Sequence, residues 1–276
     1  MAPTLTLSDG STVPQLGFGT WQVPPAQAKE TVLAALQAGY RHIDTAQMYR
    51  NERGVGEAVA ASGLARDEVY LTTKLSNSAH APQAARDSIA RSLADLGTGY
   101  IDLMLIHWPL AMYPEGFVDA WEVLIQERAA GRVRSIGVSN FHAHHLDALA
   151  VTGVAPVVNQ VEVHPYFANP AGRAGEARGI TTEAWSPLAS GRLFDDPMLA
   201  AIAAEVGAGV AQVVIAWHLA AGRIVLPKSV TPSRIASNLA AAEVVLSADQ
   251  LARIDALDRG VAGRTGPDPD VLDWRP

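Results

Sequence analysis

Seven short apolar runs punctuate this chain, and each is followed by a residue able to touch a ligand. The runs cover 40–43, 69–73, 101–106, 133–139, 156–159, 180–184 and 224–227, and the residues that follow them are Asp44, Lys74, His107, Asn140, Gln160, Trp185 and Lys228. Runs of this length are too short for helices and read as buried strands. Between them lie segments with helical spacing: Ile89, Leu93 and Leu96 before Gly97; Trp121, Leu124 and Ile125 before Gly131; Val210, Val213, Val214 and Trp217 before Gly222. Glycines stand where a helix should stop. The first four strand ends recur roughly every thirty residues, the length of one strand, helix and return loop.

Strand alternating with helix implies a parallel sheet, because parallel neighbours need crossover connections. A doubly wound sheet would carry a glycine-rich dinucleotide loop after its first strand, but that turn here reads Asp44-Thr45-Ala46-Gln47-Met48-Tyr49. A closed (β/α)8 TIM barrel fits better, with 244–246 as a short eighth strand and a length near the roughly 250 residues typical of that fold. Such barrels place their chemistry at the strand C-termini, where the seven polar residues fall. Alternation around Asp9-Gly10, from Leu5 to Val13, predicts a hairpin capping the bottom of the barrel. The Gly-, Pro- and Asp-rich segment 260–276, with Trp274, predicts a loop over the active site.

No linker or low-complexity block divides the chain, so residues 1–276 are expected to form a single domain. Half of the residues, 49%, are hydrophobic, enough for one large core. The absence of cysteine excludes disulfides, thiolate catalysis and Cys-based metal sites. No stretch is apolar for long enough to span a membrane, and the start, Met1-Ala2-Pro3-Thr4, does not resemble a signal peptide; a cytoplasmic location is expected. The net charge of −7 disfavours nucleic acid as a partner, and a monomer is expected.

Asp44, Tyr49, Lys74 and His107 form a chemically coherent set. A phenol with a pKa near about 10 is a poor proton donor at neutral pH unless a cation assists it. Lys74 can lower the Tyr49 pKa, Asp44 can hold Lys74, and His107 can give a second hydrogen bond to a substrate oxygen. The set polarises a carbonyl, which can then accept hydride from a cofactor while Tyr49 supplies the proton. No metal is needed. His142, His144 and His145 invite a metal reading, but the sequence offers them no acidic partner and predicts a solvated surface helix, so no metal site is assigned. Gly17-Phe18-Gly19 and Gly54-Val55-Gly56 read as turns and close packing rather than phosphate loops.

Gly39-Tyr40-Arg41-His42-Ile43-Asp44-Thr45-Ala46, Leu71-Thr72-Thr73-Lys74-Leu75, Leu105-Ile106-His107-Trp108-Pro109, Ser135-Ile136-Gly137-Val138-Ser139-Asn140-Phe141, Asn159-Gln160 and Leu226-Pro227-Lys228-Ser229 closely resemble the aldo-keto reductases, in order and across essentially the whole chain. Within that family the chain is most similar to the bacterial 2,5-diketo-D-gluconate reductase group. The resemblance implies an NADP-dependent carbonyl reductase with Asp44, Tyr49, Lys74 and His107 as its catalytic tetrad. It implies NADPH/NADP+ as cofactor, with Ser139, Asn140 and Gln160 on the nicotinamide amide and Trp185 stacked on the ring. Thr20 and Trp21 would lie at the nicotinamide ribose, and Ser186, Leu188 and Ser190 at the pyrophosphate. Lys228, Ser229, Val230, Thr231, Arg234 and Asn238 would hold the adenosine end. Two cations, Lys228 and Arg234, suit the 2′-phosphate that distinguishes NADPH from NADH. Phe18, Trp21, Tyr49, His107, Trp108, Tyr166 and Trp274 would line a pocket for a small carbonyl substrate.

Ser76 and Ser237 depart from residues common in the family. The segment 167–179, with its Asn169-Pro170 start and two internal glycines, predicts a weak or displaced helix. The alternative from another class is a redox sensor or structural protein of the same fold that binds NADP(H) without significant turnover. A metal-dependent barrel hydrolase would need His or carboxylate ligands converging at the strand ends.

Overall fold

The computed structural model describes residues 3–110 and 112–274. Met1 and Ala2, Ala111, and the last two residues of the expected C-terminal loop, Arg275 and Pro276, lie outside the described residues.

The expected hairpin is β1 (Thr4–Thr6) against β2 (Thr12–Pro14), antiparallel with Leu5 opposite Val13 and turned at Gly10, whose φ of 84° favours glycine. Eight parallel strands follow: β3 (Phe18–Gly19), β4 (His42–Asp44), β5 (Tyr70–Leu75), β6 (Ile101–Ile106), β7 (Val133–Ser139), β8 (Val158–Glu162), β9 (Thr181–Trp185) and β10 (Ile224–Val225). Their order in the sheet is their order in the chain. A parallel bridge from Leu16 to Val225, with the Gly17 and Gly19 N–H groups donating to the carbonyls of Val225 and Pro227, joins the ends and closes the barrel.

Helices α1 (Pro25–Ala38), α2 (Glu52–Ala61), α3 (Pro82–Leu96), α4 (Pro114–Ala129), α5 (Ala143–Leu149) and α6 (Pro170–Glu176) each return the chain from one strand to the next. Helices α7 (Pro197–Val206) and α8 (Val210–Ala220) join β9 to β10, and α9 (Pro232–Ala240) and α10 (Ala248–Asp255) follow. α1, α3, α6, α7 and α9 start on a proline, whose missing N–H costs nothing in a first turn. Between sheet and helices lies a core that includes Trp121, Phe117, Ile89, Ile43 and Leu71. β6 is buried along its whole length, as a parallel strand with both faces covered must be. Among the described residues no single helix is long and apolar enough to cross a membrane.

Leu7 and Val13 pack with Leu103, Leu105 and Val158, and Ser135 Oγ donates to Asp9 Oδ2 at 2.7 Å. The hairpin therefore lies against the barrel interior from the side of the strand N-termini.

Four expectations need correction. The eighth strand is not 244–246, which follows a 3-10 turn at Ala241–Glu243; it is Phe18–Gly19, read from sequence as a turn. The helix in 167–179 is short but regular. Asn169 caps it by accepting the Ala171 N–H at 3.0 Å, and a Cβ on Gly172 would come within 3.2 Å of Thr182 Oγ1, so that glycine permits close approach to β9. His145 is not solvated: it is 2% exposed, with its ring edge-on to Phe117 and Phe141. Nor do the three histidines lack an acid, because the C-terminal loop brings Asp270 to them.

Candidate active site

Consecutive strands deliver the tetrad to one end of the barrel. β4 ends on Asp44, β5 carries Lys74 next to its last residue, and His107 directly follows β6. Tyr49 closes a 3-10 turn, Gln47–Tyr49, just beyond β4. Lys74 Nζ donates to Asp44 Oδ1 at 2.7 Å, to Oδ2 at 2.8 Å and to the Thr45 carbonyl at 2.9 Å, so its three protons are all matched. A buried ion pair persists only with this degree of satisfaction. Lys74 Nζ also stands 5.1 Å from the centre of the Tyr49 ring, which meets the His107 ring edge-on at 5.7 Å.

The electrostatics give each member a definite proton state. Burial pushes the Tyr49 phenol up, and the Lys74 ammonium is the largest opposing influence. The expectation that Lys74 lowers the Tyr49 pKa is therefore met as an opposing pull, with the net direction upward because burial outweighs it. Burial pulls Lys74 down, but Asp44, Tyr49 and Glu183 together more than offset this, with Asp44 the largest of the three, and the ammonium is held charged. Burial first, and Lys74 second, push His107 well below the usual imidazole range. At neutral pH the site presents a protonated phenol and a neutral imidazole beside one buried cation.

Below the tetrad lies a carboxyl that the sequence reading missed. Gln160 Nε2 donates both to Asp44 Oδ2 at 2.8 Å and to Glu183 Oε2 at 3.0 Å. Glu183 is fully buried, with its other oxygen 3.7 Å from His42 Nε2. Burial, and then the charge of Asp44, push Glu183 up to about 8, while burial brings His42 down to about 4. Strand alternation could have found it: an acid inside an apolar run, two residues before Trp185, shares the face of Trp185. Because its folded pKa lies above its ordinary value of 4.5, the folded state holds the extra proton, and stability falls as pH rises through that window toward about 8. Glu183→Gln, which keeps the acceptor for Gln160 and cannot ionise, is expected to remove a slope of up to about 1.4 kcal/mol per pH unit. Urea unfolding at several pH values checks this; parallel pH dependences for the two proteins would show that Glu183 is ionised throughout.

The remaining expected residues ring this centre. Asn140, held at a φ of 66°, donates through Nδ2 to the His107 carbonyl and to Ser139 Oγ, each at 3.0 Å. Its Oδ1 accepts from Trp185 Nε1 at 2.8 Å, and Ser139 Oγ donates to the Gln160 carbonyl at 2.9 Å. Thr20 donates its N–H to the Asp44 carbonyl, and its buried Oγ1 has no hydrogen-bond partner among the described residues. Ser186, Leu188 and Ser190 lie in the turn after β9, where Ser186 and Ser190 take left-handed backbone. Lys228 and Arg234 are exposed, and neither pairs with a carboxylate among the described residues. Between them Val230 is exposed, and Ser229 Oγ accepts the N–H of Thr231, the residue that precedes α9; Asn238 is buried within that helix.

Trp108 meets Trp185 edge-on at 6.5 Å, whereas Trp21 and Trp274 are exposed. Two expected pocket residues are elsewhere. Phe18 is 1% exposed and packs edge-on against Tyr40 in the core, since glycine is required on the other face: a Cβ on Gly17 would strike Leu226 and His42. Tyr166 donates its hydroxyl to Asp196 Oδ2 at 2.7 Å and lies under the Arg259 guanidinium, away from any contact with the tetrad.

The C-terminal loop reaches this end of the barrel. Buried Glu162, also missed from sequence, accepts the N–H groups of Thr265 and Gly266 at 2.6 and 2.9 Å, and the Trp274 carbonyl accepts from Asn77 Nδ2 at 2.8 Å. A Cβ on Gly266 would come within 2.4 Å of the Trp185 ring, so the loop lies directly on that indole.

The chain resembles known proteins over nearly its whole length. The aldo/keto reductase family model matches residues 15–259. An aldo-keto reductase of Mycolicibacterium smegmatis is 48% identical over 278 residues, covering 99% of each chain. The methylglyoxal reductase DkgA of Salmonella typhimurium is 45% identical over 273 residues, covering 97% of this chain and 98% of its own. A variant of Gox0644 solved in complex with NADPH superposes with a TM-score of 0.94 at 41% identity, covering 99% of this chain and 100% of its own. With matched sequence and matched fold over nearly its whole length, this chain belongs to the aldo/keto reductase family.

Proposed function

We propose that the protein uses NADPH to reduce small aldehydes, ketones or dicarbonyls to alcohols, with Tyr49 as general acid. The observation that carries this reading is the buried Lys74–Asp44 pair set beneath a protonated Tyr49 and a neutral His107. The resemblance to a methylglyoxal reductase and to an NADPH-bound structure supports the class of substrate and the cofactor.

The residues present fit NADPH. Asn140, Ser139 and Gln160 offer amide and hydroxyl groups to the nicotinamide amide, and Trp185 offers an indole face. Thr20 has a buried hydroxyl with no partner among the described residues. Lys228 and Arg234, unpaired with any described carboxylate, suit a phosphate. When bound, NADPH supplies the hydride that a carbonyl carbon accepts. The chain supplies the rest. Tyr49 and His107 each give a hydrogen bond to the carbonyl oxygen, which makes its carbon electrophilic, and Tyr49 passes its proton to that oxygen as negative charge builds there. Lys74 stabilises the phenolate that remains, and Asp44 keeps Lys74 in place.

The test is to mix purified protein with NADPH and a panel of aldehydes, ketones and dicarbonyls and to follow the nicotinamide absorbance. NADPH binding without oxidation across the panel would replace this reading with the sensor. Arg234→Ala is expected to weaken NADPH by about tenfold to a hundredfold, the worth of a charged hydrogen bond, and to leave NADH nearly unchanged. Equal weakening of both cofactors, measured by fluorescence titration, would assign the 2′-phosphate to another residue.

A further inference from the structure

Outside the tetrad, a second group of side chains gathers where α5 meets the C-terminal loop. His142 precedes α5, His144 and His145 lie in its first turn, and Asp270 arrives from 128 residues beyond His142. His142 Nδ1, His144 Nε2 and His145 Nε2 lie 3.1, 3.3 and 3.4 Å from a single oxygen, Asp270 Oδ1. Among the described residues no Lys or Arg pairs with this carboxylate; the nearby Arg264 pairs with Asp268 instead, at 2.9 Å.

The three imidazoles differ. His145 Nδ1 accepts the His142 N–H at 3.0 Å, so a neutral His145 ring carries its proton on Nε2 and points a donor at Asp270. That nitrogen is buried and makes no full hydrogen bond in the structure. His142 and His144 have no such constraint. Asp270 is the one described group that their ring nitrogens meet, and each ring is free to turn a lone pair toward the same point.

We propose that His142, His144 and Asp270 bind a divalent transition-metal ion of the zinc type, which ties the C-terminal loop to α5. Ligands about 2.0–2.1 Å from a tetrahedral zinc lie about 3.4 Å from one another, and the two His-to-Asp distances, 3.1 and 3.3 Å, are close to such edges. The third edge, between the two imidazole nitrogens, lies within 4.8 Å, and rotation of the exposed His144 ring would bring it to the length of the other two. Two imidazoles and one carboxylate select zinc, cobalt or nickel over magnesium or calcium, which prefer oxygen alone. The fourth position is left to water. His145 Nε2, 3.4 Å from the ligating oxygen, is placed to donate to the carboxylate once the ion draws the loop in, and to orient it as outer hydrogen bonds do in metal sites.

The place of the site gives it a consequence. Asn140, His142 and Trp185 line a cleft whose other wall is Arg264, Pro267 and Pro269 of the loop. An ion joining His142 to Asp270 fastens that wall across the cleft, and its effect on turnover rests on the proposed function. The binding itself does not. Equilibrium dialysis of the metal-stripped protein against Zn2+, with no nicotinamide present, is expected to give one ion per chain. Affinity should fall by about tenfold or more in Asp270→Ala and separately in His144→Ala. Both side chains are exposed, and thermal unfolding checks that each variant is folded. Absence of Zn2+ binding in the unaltered chain, or equal affinity in all three proteins, would overturn the site. Zn2+ should also protect the C-terminal loop from limited proteolysis in the unaltered chain and not in Asp270→Ala; equal cleavage with and without Zn2+ would overturn the tie to the loop.

Discussion

Tyr49→Phe is expected to lower carbonyl reduction by two to four orders of magnitude, the usual worth of a positioned general acid, while NADPH affinity stays near that of the unaltered protein. The substitution keeps the ring that meets His107 edge-on and removes only the hydroxyl. The hydroxyl's hydrogen-bonding neighbour is Lys74, which keeps its bonds to Asp44 and to the Thr45 carbonyl when the hydroxyl is removed, so the thermal midpoint should move little. Burial favours the protonated form of Tyr49, which suits the proposed donor role. Turnover within about tenfold of the unaltered protein would assign the proton to another group, with neutral His107 the nearest candidate.

Lys74→Met should act on both stability and chemistry. It leaves Asp44 buried with Gln160 as donor and without a cation, and breaking a buried pair this way costs about 3–5 kcal/mol. That is a large share of the 5–15 kcal/mol by which domains are typically stable. Turnover should fall by about two or more orders of magnitude, because the one strong influence holding the Tyr49 pKa down is gone. The double variant Lys74→Met/Asp44→Asn separates the two effects. With neither charge present it should recover most of the lost stability and remain as inactive as the single variant. Urea unfolding and turnover measured on both proteins decide the matter, and recovered activity in the double variant would show that the cation serves only to balance Asp44.

The strand ends were legible because parallel barrel strands are buried on both faces, so that each appears as an apolar run stopped by its first polar residue. Asp44, Lys74 and His107 stand out for that reason. β3 escaped notice because a two-residue strand, Phe18–Gly19, carries almost no apolar pattern, and its closure of the barrel is made by backbone hydrogen bonds. The resemblance put Phe18 in the substrate pocket, but Gly17 faces inward, where His42 and Leu226 leave no room for a Cβ, and the phenylalanine after it turns out to the core. Glu183 lay hidden in a run read as uniformly apolar, and its raised pKa arises from burial first and then from Asp44, on a strand far away in sequence. Tyr166 and Asp270 were out of reach for a further reason. Their partners, Asp196 and Arg259 for one and the three histidines for the other, are fixed by where long loops settle, which no local spacing encodes.

The residues proposed for proton handling and most of those proposed to hold the cofactor, Thr20 apart, occupy different halves of this barrel. Asp44, Tyr49, Lys74 and His107 all precede β7, while Asn140, Trp185, Lys228 and Arg234 follow it, and Gln160 reaches across to Asp44 with one amide. On the proposed function, a chimaera spliced between β6 and β7 is expected to inherit its acid from one parent and its dinucleotide preference from the other, provided the second parent brings a glutamine on β8 to meet Asp44.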